Sequence, residues 1–436
     1  MNRAFLRAKL LAFAIAASSL PPVYLTADDE SIDLAGPELP AAVGVDQPGL
    51  NLTESDCGGD GDLGNRTPLP DDDEVSAEPP FSLTPDEEET GSSAQPLTPE
   101  LLRLRGKVRS ALQIYRPRSL NTRDHNPWEM MHAIIGFGVD ANALRGGPKG
   151  EKVNAISWMC YNGACKGQQI LWVHNGQLVA RKGVGLQGHY GQFLAILAQS
   201  YVPIDYPIVV SGKSFTLADL VEHEQRDCQG GEELTFKLIS LMHYTNEDET
   251  WTSRDGQTWS IERLVREELA QPIRGAACGG THRLMGLSYA VNKRIQRGRP
   301  VQGEYARAQK FINDYHRYTF GLQNADGSFS TQWFNRREAQ PDVDRRLKTT
   351  GHILEWLVFS LSDEELRQPK VVKAVDYLSS ILLEGKRKTW EIGPLGHGLH
   401  ALVLYDQRVF GSQADVKPQV AEHAQPVSGR KHRRVQ

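Results

Sequence analysis

The segment CGGTHRLMGLSYAV, residues 278–291, decides how the rest of the chain reads. Gly279 and Gly280 let the backbone pass close to a neighbour, Thr281 can cap a helix, and His282 to Val291 is apolar and small. A helix that is hydrophobic all round belongs inside a protein. Outward from it the same kind of helix recurs at Pro127 to Phe137, His189 to Ser200, Leu234 to Tyr244, Gly351 to Leu361 and His397 to Tyr405. Between these lie half-polar, amphipathic segments at Thr216 to Gln225, Ser260 to Leu269, Gly303 to Phe320 and Val371 to Leu383. Thr98-Pro99-Glu100 opens the series with a cap and a first turn. The apolar helices also share a histidine at or near the first turn: His132, His189, His282, His352 and His397, with His243 instead near a helix end. Intervals between these six are 57, 54, 39, 70 and 45 residues, a loose period near 50 that suits helical hairpins. Alternation of buried and half-polar helices predicts a closed barrel of helices, with an open solenoid as the alternative.

The flanks have different compositions. Arg3, Arg7 and Lys9 precede an apolar run from Leu10 to Leu20, which reads as an export signal within residues 1–27. An uncleaved anchor is the alternative, and no later segment is long and apolar enough to span a bilayer. Residues 28–99 hold 19 acidic residues and one arginine, whereas the whole chain is at −5, which leaves residues 100–436 at +10. The acidic arm, residues 28–98, is rich in Pro, Gly and Ser and is expected to stay disordered. The same is expected of the tail, residues 411–436, whose short run Arg430 to Arg434 is no argument for nucleic acid. Export places the body, residues 99–410, in the periplasm, the envelope or outside the cell.

Of five cysteines, Cys57 lies in the arm. Cys160-Tyr161-Asn162-Gly163-Ala164-Cys165 reads as a tight hairpin whose Asn-Gly turn would set Cys160 opposite Cys165. Cys228 and Cys278 form a second candidate disulfide, with free thiols or metal ligation as the alternative. The strand-like runs Ile156 to Cys160 and Ile170 to His174, with Asn175-Gly176 as a turn, predict a small β-meander at about residues 155–185.

Ala308-Gln309-Lys310-Phe311-Ile312, followed by Leu322-Gln323-Asn324-Ala325-Asp326-Gly327-Ser328-Phe329 and Trp333, resembles the repeat of terpenoid cyclases and protein prenyltransferases. Fainter copies are Ala374 to Leu378 with Trp390 and Gly393, and Asp255 to Trp259. The resemblance implies an all-α protein, an α/α toroid of five to six helical hairpins carrying the β-meander as an insertion. It also implies that Gln323 bonds backbone groups at a neighbouring helix end, that Asp326-Gly327 turns the chain, and that Phe329 and Trp333 act as plugs. The sequence departs from the family's chemistry. Asp342-Val343-Asp344-Arg345-Arg346 lacks the paired carboxylates of a proton-initiated cyclase. Asp227-Cys228 with His282 or His352 imitates the prenyltransferase zinc site at a different spacing.

The candidate site residues follow from the histidine series. His189, His282, His352 and Glu355 are candidate catalytic groups, Glu355 because a carboxylate inside an apolar helix needs a partner or a task. Arg283 is its plain ion-pair candidate. His132, Arg283, Trp356, Trp390, His397 and His400 are candidate substrate-binding residues. The bland alternative for each histidine is a helix cap or a bond to a loop, and for His397 and His400, three apart on one face, a packed pair. Zinc comes into question only at Cys278 and His282, and only if Cys278 is not in a disulfide. No cofactor is otherwise expected. Three functions fit: an exported enzyme acting on an envelope or extracellular polysaccharide at a His-lined mouth, a non-catalytic envelope binding or scaffold protein, and a divergent cyclase-like enzyme. Whether the chain is an enzyme is open at this level.

Overall fold

The computed structural model describes residues 96–411. The segment read as an export signal, most of the acidic arm and most of the tail lie outside these residues. The described chain is mainly helical. Its first six helices are α1 (Pro99–Tyr115), α2 (Pro127–Phe137), α3 (Ala155–Cys160), α4 (Gln192–Gln199), α5 (Leu217–Arg226) and α6 (Thr235–Tyr244). Six more follow: α7 (Ile261–Leu269), α8 (Thr281–Gln296), α9 (Glu304–Leu322), α10 (Val343–Ser360), α11 (Pro369–Glu384) and α12 (Ile392–Tyr405). Among them no helix is long and apolar enough to cross a membrane.

Local sequence explains the helix starts. The Thr98 hydroxyl accepts from Leu101 N at 3.2 Å, with Pro99 as the first helical residue. Asn126 and Glu129 exchange bonds of 2.9 and 2.7 Å in a capping box that opens α2. Asp342 accepts from Asp344 N at 2.9 Å and so starts α10 at Val343, eight residues upstream of Gly351. The Asp342 to Arg346 run is therefore a helix start, and Arg346 pairs with Asp326 at 2.7 Å.

The even-numbered helices form a circuit of contacts. α2 packs on α4, α4 on α6, α6 on α8, α8 on α10, α10 on α12, and α12 again on α2. Odd-numbered helices lie against it: α5 on α4 and α6, α7 on α6 and α8, α9 on α8, α11 on α10 and α12, and α1 on α11 and α12. Amphipathic α7 shows the division, burying Ile261, Leu264, Val265 and Glu268. Small residues let the circuit tighten on one side. A Cβ on Gly396 would stand 2.5 Å from the His132 carbonyl, and one on Gly351 would stand 3.1 Å from Gly398 N. Only glycine permits these backbones to approach so closely. The glycine-rich start of α12 thus draws His397 toward His132 and His352.

Short β elements connect the helices. β1 (Leu120–Asn121) runs parallel to β2 (Asn142–Leu144), which pairs antiparallel with β3 (Lys152–Asn154), Ala143 opposite Val153. Three hairpins follow: β4 (Leu171–His174) with β5 (Gln177–Ala180), β6 (Pro207–Val210) with β7 (Lys213–Thr216), and β8 (Thr250–Thr252) with β9 (Thr258–Ser260). Only the β4–β5 hairpin corresponds to the expected meander. Residues 155–160 are helical because Asn154 caps them, accepting from Ser157 N at 3.0 Å.

Neither expected disulfide is formed. Cys160 ends α3 instead of entering a hairpin, so it does not face Cys165 across a ladder. Burial pushes the Cys165 thiol up to about 11. Cys228 donates to the Glu224 carbonyl at 3.3 Å, and burial pushes its thiol up to about 12. Cys278 stands apart from it, grouped with His282 and His352. In the stretch that resembles the cyclase repeat, Gln323 Nε2 donates to Gly327 O at 3.0 Å and to Lys370 O at 2.9 Å, tying the end of α9 to the start of α11. Phe329 is buried, but Trp333 is half-buried and turns toward His352.

Candidate metal centre

Five of the six histidines of the series come together. Ring centroids are 5.2 Å apart for His132 and His397, 3.8 Å for His397 and His352, 5.9 Å for His352 and His282, and 5.2 Å for His282 and His189. All five are at most 8% exposed. Their places along the helices differ: His282 is the second residue of α8, His189 precedes α4, and His132, His352 and His397 lie further in. His243 is elsewhere, with Nδ1 2.6 Å from the Tyr289 hydroxyl. Its place at the start of α6 is taken by Glu233 and by Phe236, whose ring flanks His189 and His282 at 5.0 and 5.1 Å. Trp128 flanks His132 at 4.1 Å and Trp333 flanks His352 at 5.7 Å.

The hydrogen bonds around these rings fix their tautomers. Nδ1 of His132 lies 2.7 Å from the Trp128 carbonyl, and Nδ1 of His352 lies 2.7 Å from the Lys348 carbonyl. A carbonyl only accepts, so each Nδ1 donates and each neutral ring keeps its lone pair on Nε2. His189 Nδ1 meets Glu233 Oε2 at 2.6 Å. Burial would raise the Glu233 carboxyl, but the His189 bond outweighs it and lowers it. Glu355 bridges two rings, with Oε2 2.7 Å from His397 Nδ1 and Oε1 2.5 Å from His400 Nδ1. Burial would raise this carboxyl as well, yet the imidazoles of His397 and His400 hold it well below the usual range.

Several nitrogens have no hydrogen-bond partner among the described residues, although they are buried: Nε2 of His189, Nε2 of His352, and both ring nitrogens of His282. Burial, followed by neighbouring imidazoles, holds His282 and His352 well below 6.5, and the same causes bring His132 down to about 3. These rings are neutral near pH 7 and present lone pairs.

Two groups of donor atoms have the spacing of metal ligands. Cys278, His282 and His352 each bring one donor within 4.8 Å of the others, as do His189, Glu233 and His282. Ligands around a tetrahedral ion stand about 3.5 Å apart, so modest rotation closes either set. Cys278 reaches its place through a tight left-handed path, with φ of 48° at Cys278, 65° at Gly279 and 84° at Gly280. The carbonyl and carboxylate bonds on the far sides of the rings follow the pattern that orients metal-binding histidines.

The remaining candidate residues do other work. Arg283 pairs with Glu268 at 3.1 Å, not with Glu355. Trp356 is fully buried and donates to Ser288 Oγ at 3.0 Å, while Trp390 donates to the Tyr115 hydroxyl at 2.9 Å. Asp227 binds Lys237 at 2.9 Å and Arg254 at 3.3 Å, which turns the Asp227-Cys228 pair away from zinc chemistry. Nothing in the sequence marks Glu233 and Phe236, because the histidine of this apolar helix, His243, stands at its other end. Glu233 lies just before α6, in a polar loop with no pattern of its own. No protein family, no curated protein and no solved structure matches this chain.

Proposed function

We propose that the body is an α/α toroid built on the circuit α2–α4–α6–α8–α10–α12, and that its cluster of histidines is a metal centre of the zinc class. Cys278, His282 and His352 would hold the ion. The observation that carries this reading is the set of buried imidazole nitrogens without partners, two of them on His282. Leaving such groups dry and unpaired costs a protein roughly 1–3 kcal/mol each, so a cluster of them calls for a ligand. A thiol beside neutral imidazoles is a donor set that suits zinc. A bound ion of this kind supplies Lewis acidity and a lowered pKa for coordinated water.

The chain's own groups prepare that chemistry. Backbone carbonyls lock the tautomers of His132 and His352. Glu233 orients His189, and Glu355 holds His397 and His400. Histidines, carboxylates and aromatic rings in one place support an enzyme, here one acting on an envelope or extracellular polysaccharide. A scaffold would leave its histidines bonded to loop backbone alone, whereas three of these rings bind carboxylates. A cyclase-like acid would stand alone, whereas Glu355 is shared by two imidazoles.

Elemental analysis of full-length protein, purified without an affinity tag and then loaded with zinc, tests the reading. At least one ion per chain is expected. Cobalt(II) in its place is expected to give a thiolate-to-cobalt charge-transfer band that disappears in Cys278→Ser. Protein that takes up no stoichiometric metal and shows no such band refutes the metal centre. Release of soluble fragments from an envelope polysaccharide, lost on chelation and restored by zinc, is the expected activity.

A further inference from the structure

We propose that His282 bridges two metal positions, one ion on each side of its ring. This rests on the metal reading above and extends it. Three observations converge on His282. It is the one residue common to both donor groups, Cys278/His282/His352 and His189/Glu233/His282. Both of its ring nitrogens are buried and have no hydrogen-bond partner among the described residues, whereas His132, His189 and His352 each commit Nδ1 to an oxygen. It also lies between the two groups, its ring 5.2 Å from that of His189 and 5.9 Å from that of His352.

The two positions differ in chemistry. The first has a sulfur and two nitrogens, all from buried residues, and resembles a closed, soft site. The second has two nitrogens and a carboxylate oxygen from Glu233, whose side chain is 35% exposed, so it faces solvent. His189 Nε2 points away from Glu233, so an ion held by both residues would take the place of the proton between His189 Nδ1 and Glu233 Oε2, which lie 2.6 Å apart. Three protein ligands with a solvent-facing side leave a fourth position for water or substrate, the pattern of a catalytic ion. Filling both positions would release two protons to solvent, that of the Cys278 thiol with the first ion and the remaining ring proton of His282 with the second, so that the imidazolate offers one lone pair to each side. No oxidation or reduction is involved.

Zinc titration of the full-length protein, with elemental analysis and proton release read together, tests the bridge. Wild type is expected to bind two ions per chain and to release a ring proton with the second. Cys278→Ser should keep one ion and lose the cobalt charge-transfer band. Glu233→Gln should keep one ion and retain the band. His282→Ala should lose the proton released with the second ion, keep the one from the Cys278 thiol, and bind the second ion at least tenfold more weakly. Should His282→Ala fail to fold, the Cys278 and Glu233 variants decide the matter. One ion per chain in wild type, or two ions in Glu233→Gln, overturns the bridge while leaving a single metal centre intact. No bound ion overturns both readings.

Discussion

Gly279 and Gly212 have similar positive φ, 65° and 75°, but very different surroundings. A Cβ at Gly279 would stand 2.2 Å from the Trp333 ring, whereas one at Gly212, in the β6–β7 turn, meets nothing within 4 Å. Left-handed backbone costs an ordinary residue about 1 kcal/mol. Gly212→Ala is therefore expected to lose about 1 kcal/mol of stability. Gly279→Ala should lose about 2–4 kcal/mol because the clash adds to the strain. Urea denaturation of both variants checks this, and equal losses would show that Trp333 yields freely. At Glu355 the carboxylate holds two imidazoles. Glu355→Gln removes the charge that both bonds use, and about 2–3 kcal/mol of stability should go with it. An unchanged urea midpoint would mean that the two rings do not depend on the charge. The importance of Glu355 was legible in the sequence, since it is a carboxylate inside an apolar helix. Its partners were not, because His397 and His400 lie more than forty residues away. Arg283, which the sequence offers instead, is taken by Glu268, fifteen residues before it.

Elements follow the same rule: caps are local and legible, whereas alignments across helices are not. Thr98-Pro99 and Asn126-Pro127 start helices where the sequence places them. Helix α10 begins earlier than its apolar run suggests because its first turns are polar and face outward, with Arg345 and Arg346 bonded to loop backbone. The hairpins β6–β7 and β8–β9 went unread because their strands are as short as those of β4–β5 but their turns lack its Asn-Gly pair. Helices α6, α7 and α8 are tied by Glu268, a residue of the amphipathic α7 that is 1% exposed. Its Oε1 accepts from Leu234 N at 2.7 Å, and its Oε2 accepts from Thr235 Oγ1 at 2.5 Å and Arg283 Nε at 3.1 Å. This one carboxylate fixes the start of α6, next to Glu233, and the start of α8, next to His282. Removing one partner of a buried pair leaves the other charge unpaired, at about 3–5 kcal/mol. Glu268→Ala is expected to cost that much in urea denaturation, and to weaken metal uptake in whatever fraction still folds. A loss under 1 kcal/mol would show that Arg283 finds another acceptor.

At the scale of the whole molecule, alternating apolar and amphipathic helices made the helical architecture legible, and the recurring histidine pointed to one place. A closed barrel was the expectation, but the contacts that join its ends were not legible, because α2 and α12 meet across more than 250 residues of sequence through backbone carbonyls and glycines. Convergence of many neutral histidines in one fold has a consequence for stability. Beyond the proposed ligands, burial brings His132 down to about 3, and His223, His243 and His316 down to about 4 each. In the structure His243 faces Tyr289, His316 faces Ser360, and His223 faces Arg254. None of these three partners carries the negative charge that would offset burial of a protonated ring. Each folded pKa lies below the unfolded value of 6.5, so the unfolded chain binds protons that the folded chain refuses. The stabilisation from each ring is complete above pH 6.5 and is lost as pH falls from there toward 4. Well inside that window each group contributes a slope of about 1.4 kcal/mol per pH unit, and four together approach about 5.6 kcal/mol per unit. Glu355 has the same sign but acts only below its unfolded value of 4.5, so the upper part of the window belongs to the histidines. Metal-free protein is therefore expected to show a steep fall in its urea midpoint between pH 6.5 and 4.5. Replacing His316 with Phe should flatten that fall by roughly a quarter of the four-residue slope. A midpoint that stays level across this interval would mean that these rings are protonated in the folded state, contrary to their burial.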